Sequence, residues 1–472
     1  MLKYLPAIVL LLQLHSRAQE KIGIANSNYS GVNSIFLNPS SSADCRTYLQ
    51  LNLVGANAFV VTNLAYLPAY YAWNLSIPQP TLADMPFQKF VFANAGATGP
   101  VFLISKGNIG AGFFIRGRMV ANMRRLPHQL TSLLAMQDPI GPKNGELDIK
   151  NAGFSSMSWI EYGVNFAYLI KKERYQMLQL GGNVRYLAGV NMAYAHFSEL
   201  RGSIGESSIR IDAIKAKVRF NEFALNSGKG YAIDLGFTFK KMLSAIDAYL
   251  AHSQRSNCRF IDYKYKLGFA LRDMGYINFN HNTFTADYDG SGFFHINRND
   301  VGTRQINNLD VTTETGNGPF TAFMPASLVG QFDYNFENYL YLNATLIKNL
   351  IPGGVVGAQA HDLLTLTPRF EMKNIEIAVP LSLQKYFIPQ VGFAFRVRSL
   401  VVGVENVLPA FIAKNTYGLG IYFNLGVSIF KNPACKTRKS NVDDCGPRAR
   451  ARKNTQKNFW RNIFGRNKTY SR

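Results

Sequence analysis

Between Leu363 and Gln384, apolar and polar side chains alternate one for one on either side of a two-residue break. Leu364, Leu366, Phe370 and Met372 share one face of the first run, against Thr365, Thr367, Arg369 and Glu371 on the other. Beyond Lys373-Asn374, Ile375, Ile377, Val379, Leu381 and Leu383 oppose Glu376, Ala378, Ser382 and Gln384. Successive side chains of a strand point to opposite faces, so the pair reads as a hairpin of strands about long enough to cross a bilayer. The pattern recurs. Tyr231, Ile233, Leu235, Phe237 and Phe239 oppose Asp234, Thr238 and Lys240. Tyr263, Tyr265, Leu267, Phe269 and Leu271 oppose Lys264, Lys266 and Arg272. Val391, Phe393, Phe395 and Val397 oppose Arg396 and Arg398, and Leu419, Ile421, Phe423, Leu425, Val427 and Ile429 oppose Tyr422, Asn424 and Ser428.

Alternating segments fall near 47–66, 99–106, 109–123, 154–171, 175–195, 207–222, 229–241, 263–279, 281–296, 325–335, 339–349, 363–374, 375–385, 390–398, 399–406 and 417–430. Two of these, 99–106 and 399–406, are short for a tilted membrane strand of about 9–11 residues. Long connections occupy 67–98, 124–153, 242–262, 297–324, 350–362 and 407–416; short ones include Gly107-Asn108, Lys172 to Arg174, Asn280, Glu337-Asn338 and Lys373-Asn374. Bacterial barrels combine an even strand number with short inner turns and long outer loops. With the N-terminus in the periplasm, the long connections are expected outside and the C-terminal tail inside. Short helical segments are expected at 126–137 and from Val407 to Lys414. Because Lys or Arg facing mid-bilayer costs about 2–4 kcal/mol, the charged faces must point inward. Tyr231, Tyr263 and Tyr339 then suit an interfacial girdle. A soluble β-sandwich is the competing fold, but its connections do not sort by length. The expectation is an all-β fold: a transmembrane antiparallel β-barrel of about 14 (14–16) strands.

Composition narrows the compartment. The opening Met1-Leu-Lys-Tyr, the apolar Ala7 to Leu12 and the small-x-small step Ser16-Arg17-Ala18 read as a signal peptide over 1–18. No later run of eighteen apolar residues occurs, which excludes a helical membrane protein. The formal charge is +22, yet thirteen Lys or Arg against two Asp lie between Lys431 and Arg472. That segment, 431–472, reads as a basic, mostly disordered periplasmic tail. Nucleic acid is not expected as the partner of an exported chain; outer-membrane lipid is, with the tail available to a periplasmic protein or to peptidoglycan. Of four cysteines, Cys435 and Cys445 bracket a short loop and are the disulfide candidates, leaving Cys45 and Cys258 to pair or stay free. The spacings match no zinc site.

Residues 19–46 read as a plug or hatch segment rather than strand, and 47–430 as the barrel. Lys21 to Asp44 is rich in Gly, Asn and Ser, with a helix-start signal at Asn38-Pro39. The Ala25-Asn-Ser-Asn-Tyr-Ser-Gly opening, Phe36-Leu-Asn-Pro-Ser, Gly230-Tyr-Ala-Ile-Asp-Leu-Gly-Phe and Leu267-Gly-Phe-Ala-Leu-Arg-Asp-Met-Gly resemble Bacteroidota outer-membrane proteins of unknown function related to the long-chain fatty-acid transporter (FadL-type) barrels. The resemblance implies a fourteen-stranded barrel with the N-terminal segment folded inward, Asn26, Asn38 and Pro39 among its plug residues. It also implies passage of apolar substrates through the lumen. Such barrels include non-transporting partners of secretion machinery too. The sequence departs at Pro39-Ser40, where Ala is usual, and in its added tail.

No catalytic constellation assembles. His128, His196, His252, His281, His295 and His361 are scattered, so no enzyme is expected, and no cofactor or metal. Asp287-Tyr-Asp289-Gly-Ser291-Gly imitates a calcium loop but reaches Arg298 where a bidentate Glu is needed. The chemistry expected of the lumen is its charge cluster: Arg185, Lys240, Lys264, Lys266, Arg272, Arg369, Arg396 and Arg398 with Asp234, Asp333, Glu371 and Glu376. Such a cluster serves as an ion-pair network binding wall to plug, or, through its cationic surplus at Arg396 and Arg398, as an attractor of an anionic amphipathic head group. Phe36, Leu37 and Phe87 to Phe92 suit either plug packing or an apolar path. Passive uptake or binding of hydrophobic or amphipathic small molecules is the leading functional expectation. The alternative is a non-transporting structural or interaction barrel, for example a secretion-machinery partner.

Overall fold

A computed structural model describes residues 21–66, 81–82, 88–126, 145–204, 208–247, 249–253, 260–295, 309–408 and 416–435. Fourteen antiparallel strands close into a barrel. They are β1 (Leu49–Thr62), β2 (Lys89–Lys106), β3 (Ile109–Leu126), β4 (Gly145–Glu173) and β5 (Gln176–Ile204). Next come β6 (Ser208–Asn221 with Gly228–Met242), β7 (Tyr263–Phe279 with Thr283–His295) and β8 (Leu309–Gly316, Phe320–Phe323 and Ser327–Glu337). The remainder are β9 (Leu340–Asn349), β10 (Leu363–Glu371), β11 (Ile375–Ala378 with Leu381–Gln384), β12 (Ile388–Val391 with Phe393–Val397), β13 (Leu400–Val404) and β14 (Gly418–Ile429). β14 pairs with β1 from Leu49↔Ile429 to Val61↔Gly418, which removes both sheet edges. The chain divides into two units, 1–432 and 433–472. Within the second, only residues 433–435 are described, as one 3-10 turn.

Alternation sorts the side chains as the sequence predicts. On β4, Tyr162, Val164, Phe166, Tyr168 and Ile170 face out, while Glu161, Asn165 and Ala167 are buried inside. Tyr162, Tyr186, Tyr231 and Tyr276 sit side by side on β4 to β7, forming one arc of an aromatic girdle at the edge of this apolar belt.

Several expectations need correction. The sixteen segments become fourteen because 222–227 and 280–282 are interruptions within β6 and β7, not turns between strands. Asn280 is therefore no hairpin turn; the nearby Asn282 adopts a left-handed φ of 45°. Merging those pieces moves connection 242–262 to the end that carries the short turns. There Gly107 bridges Ala251, and the Ile246 amide donates to the Arg174 carbonyl at 2.9 Å. The supposed loop residues 89–98 are the first half of β2. Tyr263 is buried rather than part of a girdle, because a register shift between Tyr263 and Tyr265 turns it inward. Residues 1–18, nearly all of 126–137, 409–415 and 436–472 lie outside the described residues.

The plug consists of the short helix α1 (Ile22–Ala25) and 3-10 turns at Gly31–Asn33 and Pro39–Asp44. Glycines of the wall make its seat. A Cβ on Gly110, Gly181, Gly236 or Gly268 would collide with Ser42, Ser40, Asn38 and Asn38 respectively. At β11, Pro380 cannot donate to the ladder, and the strand breaks there.

Candidate functional site

Followed from the turn end towards the loop end, the inner face of the barrel changes character at one height. On β1 Asn57 gives way to Phe59 and Val61; on β2 Thr98 and Asn94 give way to Phe92 and Phe90; on β3 Arg116 and Arg118 give way to Val120. On β4 Glu161 precedes Trp159 and Met157, on β5 Arg185 precedes Leu187, on β6 Asp234 precedes Ala232, and on β7 Asp273 precedes Ile277 and Phe279. The apolar members form one buried cluster, joined by Met192, Tyr194, Phe320, Ala322, Met324, Ala358 and Ile388. The lumen thus holds an apolar layer above a charged floor.

The floor is densely bonded. Arg116 donates through Nε and Nη2 to Glu161 Oε2 at 3.1 and 2.9 Å. Arg118 reaches Glu161 Oε1 at 3.0 Å and grips both oxygens of Asp273 at 2.7 and 3.1 Å. Arg185 joins Glu161, Asp273 and Asp234, and Trp159 Nε1 donates to Glu161 Oε1 at 2.7 Å. Each carboxylate of the floor is bound by at least one arginine, which is what lets these charges survive burial.

Below the floor sits the plug. Asn38 Nδ2 donates to the Phe237 carbonyl, Thr238 Oγ1 and Gln331 Oε1, while its Oδ1 accepts from the Ser40 amide. Pro39 starts the turn, and its carbonyl accepts from Asn165 Nδ2 at 3.1 Å. Asn26 donates to Thr345 Oγ1 and accepts from Gln331. Phe36 packs edge-on against Phe114 and under the Arg116 guanidinium, 4.2 Å from its ring. Leu37 joins Ile22, Ala270 and Val329. Phe90 and Phe92 belong instead to the apolar layer, and Phe87 lies outside the described residues. Two clefts flank the plug. One is lined by Lys21, Asn33, Asn57, Asn94, Thr98, Arg116 and Arg118 with Phe36; another is lined by Asn26, Asp44, Gln179, Lys240, Lys266 and their neighbours. Both linings are polar.

At the turn end, Lys240 Nζ and Tyr249 OH donate to the two oxygens of Asp44 at 2.7 and 2.8 Å. Arg46 binds Asp262 at 2.6 Å, and Lys266 and Arg369 share Asp333 at 3.2 and 2.9 Å. Glu371 accepts from the Asn28 amide, and Ser27 donates to Glu376, which also holds Arg396 at 2.8 Å. Arg396 additionally donates to the Met372, Lys373 and Arg398 carbonyls. Arg272, buried, lies 3.7 Å from Asp273 in the floor. Two members of the expected cluster fall elsewhere. Lys264 is at the rim, 3.4 Å from Glu337, and Arg398 is exposed in the turn after β12 with a φ of 53°. Arg396 and Arg398 therefore do not make a ligand site: one is saturated and the other is outside. Alternation found most inward charges but missed Arg116, Arg118, Glu161, Asp273, Asp44 and Arg46. Of these, Arg116, Arg118 and Glu161 were visible as polar positions on alternating strands.

The loop end is covered by residues 350–362. The Phe323 amide donates to the Val356 carbonyl at 2.9 Å and the Ala358 amide to the Phe323 carbonyl at 3.1 Å. Gly357, at φ 156°, fits where a Cβ would strike that backbone. Gly353 lies against the Arg124 guanidinium of β3 and Gly354 near the His196 ring of β5, so the segment crosses the barrel mouth. Its last turn places His361 flat on Phe92, with centroids 4.6 Å apart, and burial pushes its pKa down to about 3.

Elsewhere, His252 Nε2 donates to the Cys45 carbonyl, 2.9 Å away, at the turn end, and His281 is exposed at the β7 interruption. Asp287 pairs with Arg219, and Asp289 with Lys215. Among the described residues, no group of His, Cys, Asp and Glu is arranged to hold a metal ion. Cys45 is a free, buried thiol, which excludes its pairing with Cys258. Cys435 is disulfide-bonded, and both Cys258 and Cys445 lie outside the described residues.

Solved structures with related outlines include the toluene transporter TbuX of Ralstonia pickettii, at 7% identity, covering 89% of this chain and 100% of that one, with a TM-score of 0.43. A deletion mutant of the monoaromatic hydrocarbon channel TodX follows at 9% identity, 88% and 99% coverage, and a TM-score of 0.40. Likenesses this loose bear on neither substrate nor mechanism. No curated protein matches the chain. Residues 39–404 match a family of unknown function, DUF5723, and the chain belongs to that family.

Proposed function

We propose that this protein is an outer-membrane barrel that binds or admits small hydrophobic or amphipathic molecules from outside the cell, passively and without catalysis. The apolar inner layer carries the reading. A barrel that conducts water and ions presents a polar lumen, because its contents must be solvated. Here the outer half of the lumen offers Phe, Trp, Met, Leu and Ile from β1 round to β8, immediately behind the loop end. Such a lining solvates hydrocarbon, and its burial value of roughly 25 cal/mol per Å² favours apolar guests. Segment 350–362 acts as the outer lid, the charged floor limits penetration, and the plug controls any onward step to the periplasm.

A second reading is a closed structural or interaction barrel that docks a periplasmic protein or peptidoglycan through its basic tail. The filled state of the apolar layer favours it: Phe59, Met157, Leu187 and Met192 are fully buried by their neighbours. Trp159 lies at the boundary of layer and floor and reports on both. In nanodiscs, with Trp73 and Trp460 changed to Phe, adding n-decane or 1-decanol is expected to shift Trp159 emission saturably. A folded barrel with no saturable response to either would hand the case to the second reading.

A further inference from the structure

A polar island interrupts the apolar layer at the junction of lid and wall. His361 on the lid rests against Phe92 and Phe59, with ring centroids 4.6 and 6.1 Å away. It is 5% exposed, and the Gln384 side chain is its hydrogen-bonding neighbour, at a geometry too loose to satisfy either ring nitrogen fully. Gln384 at the end of β11 approaches it and donates to Gln390 Oε1 on β12 at 3.0 Å. The Gln390 amide nitrogen, also buried, has no partner, and it points at Gly418 of β14, where a Cβ would collide with it. Glu405, just beyond β13, has a buried and unbonded carboxyl oxygen. A buried polar atom left unpaired costs about 1–3 kcal/mol, so such atoms collect where a partner is meant to arrive.

We propose that this island is the recognition point for the hydrogen-bonding group of the guest, and that the guest is a neutral apolar molecule carrying a hydroxyl. The proposal rests on the binding role given to the apolar layer and names the class of molecule that layer takes. Neutral imidazole offers one N–H and one lone pair, and the Gln390 amide adds a donor; a hydroxyl can donate and accept at once. The nearest cation to His361, Lys385, lies over the Phe90 ring at 5.8 Å and already faces Asp362; an anion would therefore meet a neutral ring and little spare positive charge, whereas a hydroxyl needs none. Since His361 belongs to the lid while Gln384 and Gln390 belong to the wall, a hydroxyl held between them also fastens the lid over the guest.

The test compares 1-decanol, n-decane and decanoate by Trp159 emission in nanodiscs, for the parent barrel and for His361→Phe and Gln390→Leu. Partition of each probe into lipid is common to all three proteins and cancels between them. Loss of the hydroxyl contact is expected to weaken 1-decanol about fivefold in either variant, with n-decane unchanged. Decanoate is expected to bind no better than n-decane. Thermal unfolding of each variant shows whether the barrel is intact; if His361→Phe fails to fold, Gln390→Leu carries the comparison. Equal effects on 1-decanol and n-decane, or none, overturn the assignment while leaving the apolar layer as a binding site. Stronger binding of decanoate overturns it in favour of an anionic head group. No binding of any probe overturns the layer's role, and this proposal with it.

Discussion

Glu161 is the pivot of the charged floor: three guanidinium groups and the Trp159 indole converge on its two oxygens. Glu161→Gln keeps the shape and removes the charge, leaving Arg116, Arg118 and Arg185 under-compensated in a buried setting. Breaking a buried pair this way costs about 3–5 kcal/mol, and the expected readout is a lower urea midpoint for loss of the heat-modifiable barrel band on gels. His361 supplies the pH prediction. Burial lowers its pKa from 6.5 to about 3. Between those values an opened lid takes up a proton that the closed lid refuses. Closure therefore weakens as pH falls, by up to about 1.4 kcal/mol per unit, and is indifferent to pH above 7. Protection factors of 350–362 are expected to drop from pH 7 to pH 5 and to stay level in His361→Phe. Side-chain direction was legible wherever alternation ran unbroken, as for Asp234, Lys240, Arg369 and Glu376. It was illegible at bulges. Asp273, with a φ of 56°, turns inward beside Arg272 only because the register slips between Leu271 and Met274, and one residue of slip exchanges the faces.

At the scale of elements, hairpins with tight turns read directly from sequence: β2–β3, β4–β5 and β10–β11 all close where a short polar break is visible. Interruptions within a strand imitate turns, which is why β6 and β7 each looked like two strands. The device at β6 is a side-chain one. Asn221 accepts from the Met192 amide at 2.6 Å and donates towards Val190, while Ser227 Oγ donates to the carbonyls of Gly189 and Val190. Those side chains stand in for the missing ladder, and nothing in local sequence announces it. The plug was recognisable as non-strand, but its seat was not, since a glycine inside a strand does not say what approaches it. Gly236→Val tests the seat. Its side chain would enter the space of Asn38 and Pro39. Expected is a plug that fails to dock, seen as protease cleavage within residues 21–46 of an otherwise resistant barrel, with a stability loss of about 1–3 kcal/mol.

For the whole molecule, the outward belt determines where the protein resides. Phe166 is 57% exposed on β4, between Tyr162 and the turn end, and touches hydrocarbon if the barrel spans a bilayer. Phe166→Arg is then expected to cost about 2–4 kcal/mol in lipid vesicles, measured by urea titration of folding, whereas a soluble sheet protein would barely notice it. The closed ring also constrains how the chain is put together. Lys21 in the plug donates to Asn424 of the last strand, and that strand zips onto the first. The opening segment of the polypeptide is thus sealed in by the closing one. Whatever inserts this chain must hold residues 21–46 in place while the final hydrogen bonds form, like a stopper set before the bottle is blown. A plug supplied later, as a separate peptide, would find no way to its seat.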